Sequence, residues 1–184
     1  TTRCVVCAIG LMFRGNKNLQ CKGQDFGSNH LESGVVMGPE NDVRSRSISS
    51  TVPDNWHDFF HTYTLYWRPD SISFKIDNEQ PQFIVSPGGK LCEIIGFHND
   101  ICTLWGSGSR IAPFDTDFYI SLGLSSGNAR DFPDDCINSG QPKPWRNLEL
   151  KALLKFWQDK RNWSSTWSDE KSAMYVEYVR VTSL

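Results

Sequence analysis

Between Tyr63 and Ile76 apolar and polar residues alternate with a period of two. Tyr63, Leu65 and Trp67 fall on one side of the chain, with Thr62, Thr64 and Tyr66 on the other. After Arg68-Pro69-Asp70 the alternation resumes, with Ile72, Phe74 and Ile76 set against Ser71, Ser73 and Lys75. Such a period fits half-buried strands. Between them, proline fixes φ and Asp70 can hydrogen-bond the backbone ahead of it, so residues 56–77 are expected to form an antiparallel hairpin.

The same reading extends along the chain. The apolar run Cys4 to Phe13 is short and bounded, which suggests a buried strand. Residues 14–29, punctuated by Gly15, Gly23 and Gly27, read as a loop. Gly34 to Met37 is a short strand, and residues 40–55 form a polar surface connection with room for one extended piece. Pro81 to Val85 is a third strand, with Pro81 confined to its start or an edge because it cannot donate to a ladder. Residues 86–113 form a long glycine-punctuated loop, a length usually reserved for function.

Asp117 to Leu124 alternates again, with Phe118, Ile120, Leu122 and Leu124 opposed by Tyr119, Ser121 and Gly123. Its small, polar side suits a strand lining a groove. After a loop over 125–147, Leu148 to Trp157 is the one clear helical pattern. Leu150, Leu153, Leu154 and Trp157 make an apolar stripe, and Asn147 is the expected N-cap. Met174 to Val181 is apolar on both sides and reads as a central strand. Many strands, turn-rich connections and one short helix near the C-terminus imply an all-β antiparallel sandwich.

At 184 residues, seven Trp and eleven Phe, the chain can bury a sizeable core as one folded domain over 1–184. A net charge of −2 offers no electrostatic footprint for nucleic acid. No segment approaches the roughly 18 apolar residues of a membrane span. The six cysteines are Cys4, Cys7, Cys21, Cys92, Cys102 and Cys136, an even number compatible with disulfides. Cys92 and Cys102 bracket a short loop that a local bridge could close. Cys4-x-x-Cys7 lacks the second pair of ligands that a zinc site needs, and no clustered carboxylates call for calcium, so no metal or other cofactor is expected. Asn162-Trp163-Ser164 is the single N-x-S/T triplet.

Several stretches converge on a family. Phe60-His61-Thr62-Tyr63 through Trp67, Pro69-Asp70 and Ile72-x-Phe74 resemble the hallmark hairpin of laminarinase-type glycoside hydrolases, family sixteen. Ala112-Pro113-Phe114-Asp115 with Phe118-Tyr119 is similar to the strand that follows there. Lys143-Pro144-Trp145, Phe156-Trp157, Trp163, Thr166-Trp167 and the closing Val176-Glu177-Tyr178-Val179-Arg180-Val181 narrow the likeness. Together they resemble the β-1,3-glucan recognition proteins of invertebrates, also called Gram-negative-bacteria-binding proteins. Arg14-Gly15-Asn16 and Gly38-Pro39 extend the match towards the N-terminus.

The resemblance implies a concanavalin- or laminarinase-like β-jelly roll with a concave glucan-binding face. Active members carry a Glu-x-Asp-x-x-Glu strand just before the Arg-Gly-Asn segment, and retention of configuration needs two carboxylates about 5–5.5 Å apart. Placing Arg14-Gly15-Asn16 on that pattern puts the three acidic positions at Cys7, Ile9 and Met12, none of them acidic. Neutral side chains supply neither nucleophile nor general acid. A histidine and an aromatic of active members fall on Val36 and Met37. Asp25 and Glu32, the nearest carboxylates, are expected in a loop. Catalytic residues are therefore none, and the chain reads as a pseudoenzyme.

Glucan-binding candidates are Arg14, Asn16, Trp105, Arg110 and Tyr119. Aromatic rings flanked by hydrogen-bonding groups suit the apolar C–H faces of sugars. Three have a plainer reading: turn structure for Arg14 and Asn16, a ring packed back on the sandwich for Trp105. Trp145, Trp157, Trp163 and Trp167 are expected around the helix as packing residues. His57 and His61 read as structural, without a carboxylate at triad spacing, and His30 and His98 as isolated loop residues.

The family domain is considerably longer, so the chain is expected to be its C-terminal portion: a fragment, or a form stabilised by another chain. The reading that follows is a secreted, extracellular, non-catalytic binder of β-1,3-glucan or a related microbial polysaccharide in innate immune recognition. Immune-cascade proteins would be its further partners. An endo-β-1,3-glucanase and a truncated remnant without function are the alternatives.

Overall fold

The computed structural model describes residues 6–13, 18–21, 24–25, 27–38, 42–51, 56–125, 132–164, 167–170 and 172–183. Its strands in chain order are β1 (Val6–Phe13), β2 (Leu19–Cys21), β3 (Gln24–Asp25), β4 (His30–Gly38), β5 (Arg44–Thr51), β6 (Tyr63–Arg68), β7 (Ser71–Ile76) and β8 (Gln82–Val85). Two short helices follow, α1 (Leu91–Ile94) and α2 (Asn99–Leu104). Then come β9 (Ile137–Asn138), β10 (Gln141–Pro142), α3 (Ala152–Gln158) and α4 (Lys160–Trp163). The fold is all-β and jelly-roll-like, with its strands in three antiparallel sheets. The chain divides into two compact units, 1–15 with 28–119, and 16–27 with 120–184.

The first unit holds two sheets, ordered β1-β4-β5 and β6-β7-β8. The expected hairpin forms: Tyr63 pairs with Ile76 through to Arg68 with Ser71, leaving Pro69-Asp70 as a two-residue turn. Burial follows the alternation in β4, where Leu31, Ser33, Val35 and Met37 are buried and the residues between them are only partly so. Val35 and Met37 meet Ile72, Phe74, Ile84 and Val85, joined by Leu91, Phe97, Ile111 and Phe114, in one core. Each large side chain of this kind contributes about 1.5–3 kcal/mol by leaving water. The β7–β8 ladder shifts register between Ile72 and Ser73. The extra residue of such a bulge explains how the consecutive Ile84 and Val85 are both buried.

In the second unit β10-β9-β2-β3 form a small sheet. Leu19, Cys21 and Cys136 pack with Phe132, and Cys21 is disulfide-bonded to Cys136 across 115 residues of sequence. Nearby, the Lys143 ammonium is almost fully covered. It donates to Phe132 O and Asp134 Oδ1, each at 2.8 Å, and to Asn147 Oδ1, and lies 5.2 Å from the Trp145 ring centre. Trp145 in turn packs edge-on against Phe156.

Several elements differ from the sequence expectation. Residues 40–55 hold an eight-residue strand, β5, whose polar sequence hides it: it lies at a sheet edge and needs few apolar side chains. The strand expected over 34–37 extends from His30 to Gly38, because β1 supplies eight consecutive partners. Glu32 therefore sits in a strand, as does Asp25 in β3, and neither is in a loop. The loop over 86–113 contains α1 and α2, closed on each other by the Cys92–Cys102 disulfide that the sequence allowed.

Asp117–Leu124 and Met174–Val181 form no ladder among the described residues, and Ile120, Leu122, Tyr175 and Val181 are exposed. Alternation gives a segment two faces, but a strand also needs a neighbour about 4.8 Å away. The helix starts four residues late, at Ala152, with Lys151 as its N-cap residue. Asn147 is engaged by Lys143 and Phe132, and the turn bonds Glu149 N–H to Arg146 O and Ala152 N–H to Glu149 O occupy the intervening residues. Its stripe, expected to pack inward, is open: Leu150, Leu153 and Trp157 are all exposed.

Candidate functional site

The β1–β4 ladder runs without interruption from Val6 opposite Gly38 to Phe13 opposite Leu31. Cys7 is opposite Met37, Ile9 opposite Val35, and Met12 opposite Glu32. Met37 and Val35 are core residues, and Ile9 packs against the same core. Ile9 is thereby set on the side of β1 turned to the core. Val36 and Met37 fall on opposite sides of β4, with Met37 fully buried and Val36 only partly so.

Of the glucan-binding candidates, Arg14 and Asn16 lie outside the described residues. The other three belong to one stretch of the first unit and point to different surroundings. Trp105 is half-buried, edge-on to Phe97 at 5.6 Å, and its Nε1 finds no hydrogen-bond partner among the described residues. Arg110 is exposed, with its guanidinium donating to Gly88 O. Tyr119 is 89% exposed. No hydrogen bond or ring contact joins the three among the described residues.

The segment that presents Tyr119 is held from behind. Trp67 Nε1 donates to Phe114 O at 2.8 Å, and Phe118 stands edge-on to Trp67 and stacks on Phe114, each at 5.5 Å. Asp115 Oδ2 accepts from Ser109 N–H at 2.6 Å. Gly108 fits closely here, since a Cβ would lie 2.6 Å from that same carboxylate oxygen and 2.8 Å from Ala112 Cβ. An open tyrosine beside a fixed aromatic cluster is thus the feature of this stretch suited to stacking on a sugar ring.

Sequence reasoning did not find the cluster at the base of the hairpin. Asp77 accepts from Thr62 N–H at 2.8 Å, its own N–H donates to Thr62 O at 2.8 Å, and His61 Nδ1 lies 2.8 Å from Asp77 Oδ2. Asp77 has φ of 47°, a left-handed conformation that Asp tolerates better than most residues. His61 meets buried Trp56 edge-on at 5.0 Å. Partial burial pushes the Asp77 carboxyl up, but the His61 and Thr62 hydrogen bonds and the His61 charge outweigh it and hold the group below its ordinary value. Burial, with the Asp77 charge behind it, pushes the Tyr63 phenol up. The signal was present as His61 and Asp77, sixteen positions apart along the hairpin, but only the register brings them together.

The other histidines are also placed by tertiary structure. His57 lies 3.5 Å from Asp58, and His30 is in β4, 3.2 Å from Thr51 Oγ1. His98 is the N-cap residue of α2. Trp167 is exposed and lines a shallow cavity of about 310 Å³ with Ser168, Asp169 and Ser172. Trp157, expected to pack, is exposed under the Lys160 ammonium, and the side chain of Trp163 lies outside the described residues. Among the described residues no group of His, Cys, Asp and Glu could hold a metal ion, and no helix is long and apolar enough to cross a membrane.

Strands in three antiparallel sheets with few short helices define an all-β, jelly-roll-like protein. The chain is 36% identical over 156 residues to Beta-1,3-glucan-binding protein 1 of Manduca sexta, covering 84% of this chain and 31% of that protein. It is 31% identical over 174 residues to Beta-1,3-glucan-binding protein of Penaeus monodon, covering 91% of this chain and 46% of that protein. Against Gram-negative bacteria-binding protein 2 of Drosophila melanogaster it is 31% identical over 169 residues, 91% of this chain and 31% of that protein. The chain is thus a homologue of invertebrate β-1,3-glucan-binding and Gram-negative bacteria-binding proteins, and spans 31–46% of the length of these three relatives. Those names are names of binding proteins. No family model and no solved structure matches the chain.

Proposed function

We propose that this chain is a non-catalytic β-1,3-glucan-binding portion of an extracellular protein that recognises microbial polysaccharide in innate immunity. The observation that carries this reading is the similarity, over most of the chain, to proteins named for binding β-1,3-glucan. The absence of hydrolysis is supported separately by β1. Its positions 7, 9 and 12 bear Cys, Ile and Met, and Ile9 packs against the core. Retaining chemistry needs two carboxylates facing one bond. The disulfides Cys21–Cys136 and Cys92–Cys102 support an oxidising, extracellular setting.

Tyr119 is the platform in this reading, with Arg110 a donor from the same stretch of chain and Arg14 and Asn16 as further contributors. The polymer offers hydroxyls and apolar ring faces, which a phenol ring and a guanidinium match. Immune-cascade proteins are its further partners. The test is retention of the chain on insoluble β-1,3-glucan, with reducing-sugar release followed in parallel. Retention without release is expected. Release would overturn the non-catalytic assignment, and failure to be retained would overturn glucan binding.

A further inference from the structure

Asn162-Trp163-Ser164 is unused by the proposed binding function, and the fold presents it in a revealing way. Asn162 lies in α4 and is exposed. Its backbone N–H donates to Asp159 O at 2.9 Å, and its side-chain Nδ2 donates to Asp159 Oδ1 at 2.5 Å. Ser164 follows as the C-cap residue of α4, half-buried, so the triplet spans the end of one short helix. Elsewhere in the 184 residues no other Asn stands two before Ser or Thr with a residue other than proline between them.

We propose that Asn162 is an N-glycosylation site. The attachment would form a bond between Asn162 Nδ2 and the anomeric carbon of an oligosaccharide carried on a lipid pyrophosphate. The bond from that carbon to the pyrophosphate oxygen breaks, the lipid pyrophosphate leaves with the electron pair, and the carboxamide loses one proton. No redox partner is involved. Transfer takes place on the extended chain before it folds, so what the fold must do is accommodate the product.

The structure does so in two respects. The side chain is open to solvent, leaving room for a bulky, hydrated group. A glycosylated carboxamide also keeps one N–H, enough to maintain the single hydrogen bond that the side chain donates to Asp159. Disulfides between Cys21 and Cys136 and between Cys92 and Cys102 require an oxidising compartment, and transfer of this kind takes place in one. This inference does not depend on glucan binding.

The experiment is expression of the whole 184-residue chain behind a cleavable secretion signal in insect cells, followed by peptide mass spectrometry. The expected result is a glycopeptide containing Asn162, converted to the Asp form when a peptide N-glycosidase removes the sugar. Asn162→Gln and Ser164→Ala should each abolish the added mass. Ser164→Thr should keep or raise the modified fraction, since it retains the hydroxyl at the position the transferase reads. Secreted chain with Cys21–Cys136 formed and Asn162 unmodified would overturn the proposal. So would an added mass that persists in both Asn162→Gln and Ser164→Ala.

Discussion

Met12 stands directly opposite Glu32 in the ladder between β1 and β4, and Ile9, three positions earlier, packs against the core. An acidic residue placed at position 9 would therefore meet apolar neighbours. Ile9→Asp alone is expected to destabilise the first unit by roughly 2–5 kcal/mol, through lost packing and a carboxylate drawn towards the core. Chemical denaturation measures the first effect. The triple variant Cys7→Glu, Ile9→Asp, Met12→Glu should release no reducing sugar from β-1,3-glucan, and release would refute the reading of this register.

Trp105 and Tyr119 should separate stability from binding. Trp105 packs on Phe97, so Trp105→Ala is expected to cost about 3 kcal/mol. Tyr119 is open, so Tyr119→Ala should change stability by less than about 0.5 kcal/mol while weakening retention on glucan roughly tenfold. Equal retention by wild type and Tyr119→Ala would remove Tyr119 from the site.

Asp77 gives the first unit an acid sensitivity. Its carboxyl is held below its ordinary value, so the folded state binds this proton less readily than the unfolded chain does. Stability from Asp77 is thus fully present above the unfolded value, about 4, and is lost as pH falls through the lower folded value. Asp77→Asn should flatten that part of the curve when melting temperature is followed from pH 6 downwards. An unchanged slope would show that the His61 and Thr62 contacts do not favour the charged carboxylate.

The two disulfides among the described residues should differ in weight. Cys21–Cys136 spans 115 residues and Cys92–Cys102 spans 10. By loop-closure entropy the first contributes about 4–5 kcal/mol and the second about 2–3 kcal/mol. Paired Cys→Ser variants compared by denaturation test this order.

Leu148, Leu150, Leu153 and Trp157, with Ile120, Leu122 and Leu124, leave a large amount of apolar surface open. The isolated chain is expected to self-associate at micromolar concentration, because contiguous apolar patches favour contact with one another. Sedimentation equilibrium is the measurement. A monodisperse monomer with one cooperative melt would contradict the expectation.

What could be read from the letters is what depends on near neighbours. The β6–β7 hairpin follows from alternation on both sides of Pro69-Asp70, and the Cys92–Cys102 bridge from a separation short enough to close. The family likeness rests on motifs in order along the chain, and the homologues agree with it. Tyr119 could be singled out as a polar-side residue, though not as an open one.

The remainder was decided by partners distant in sequence. The polar strand β5 exists because β4 lies beside it, and the alternating segments 117–124 and 174–181 remain without ladders because no described strand does. Cys21 meets Cys136, and Asp77 meets His61, only once a sheet register is chosen. The same holds for β1. The sequence determines that positions 7, 9 and 12 carry no carboxylate, while the unbroken ladder with β4 determines which residue stands opposite each. A period of two specifies alternation, but the side that faces the core depends on what packs there.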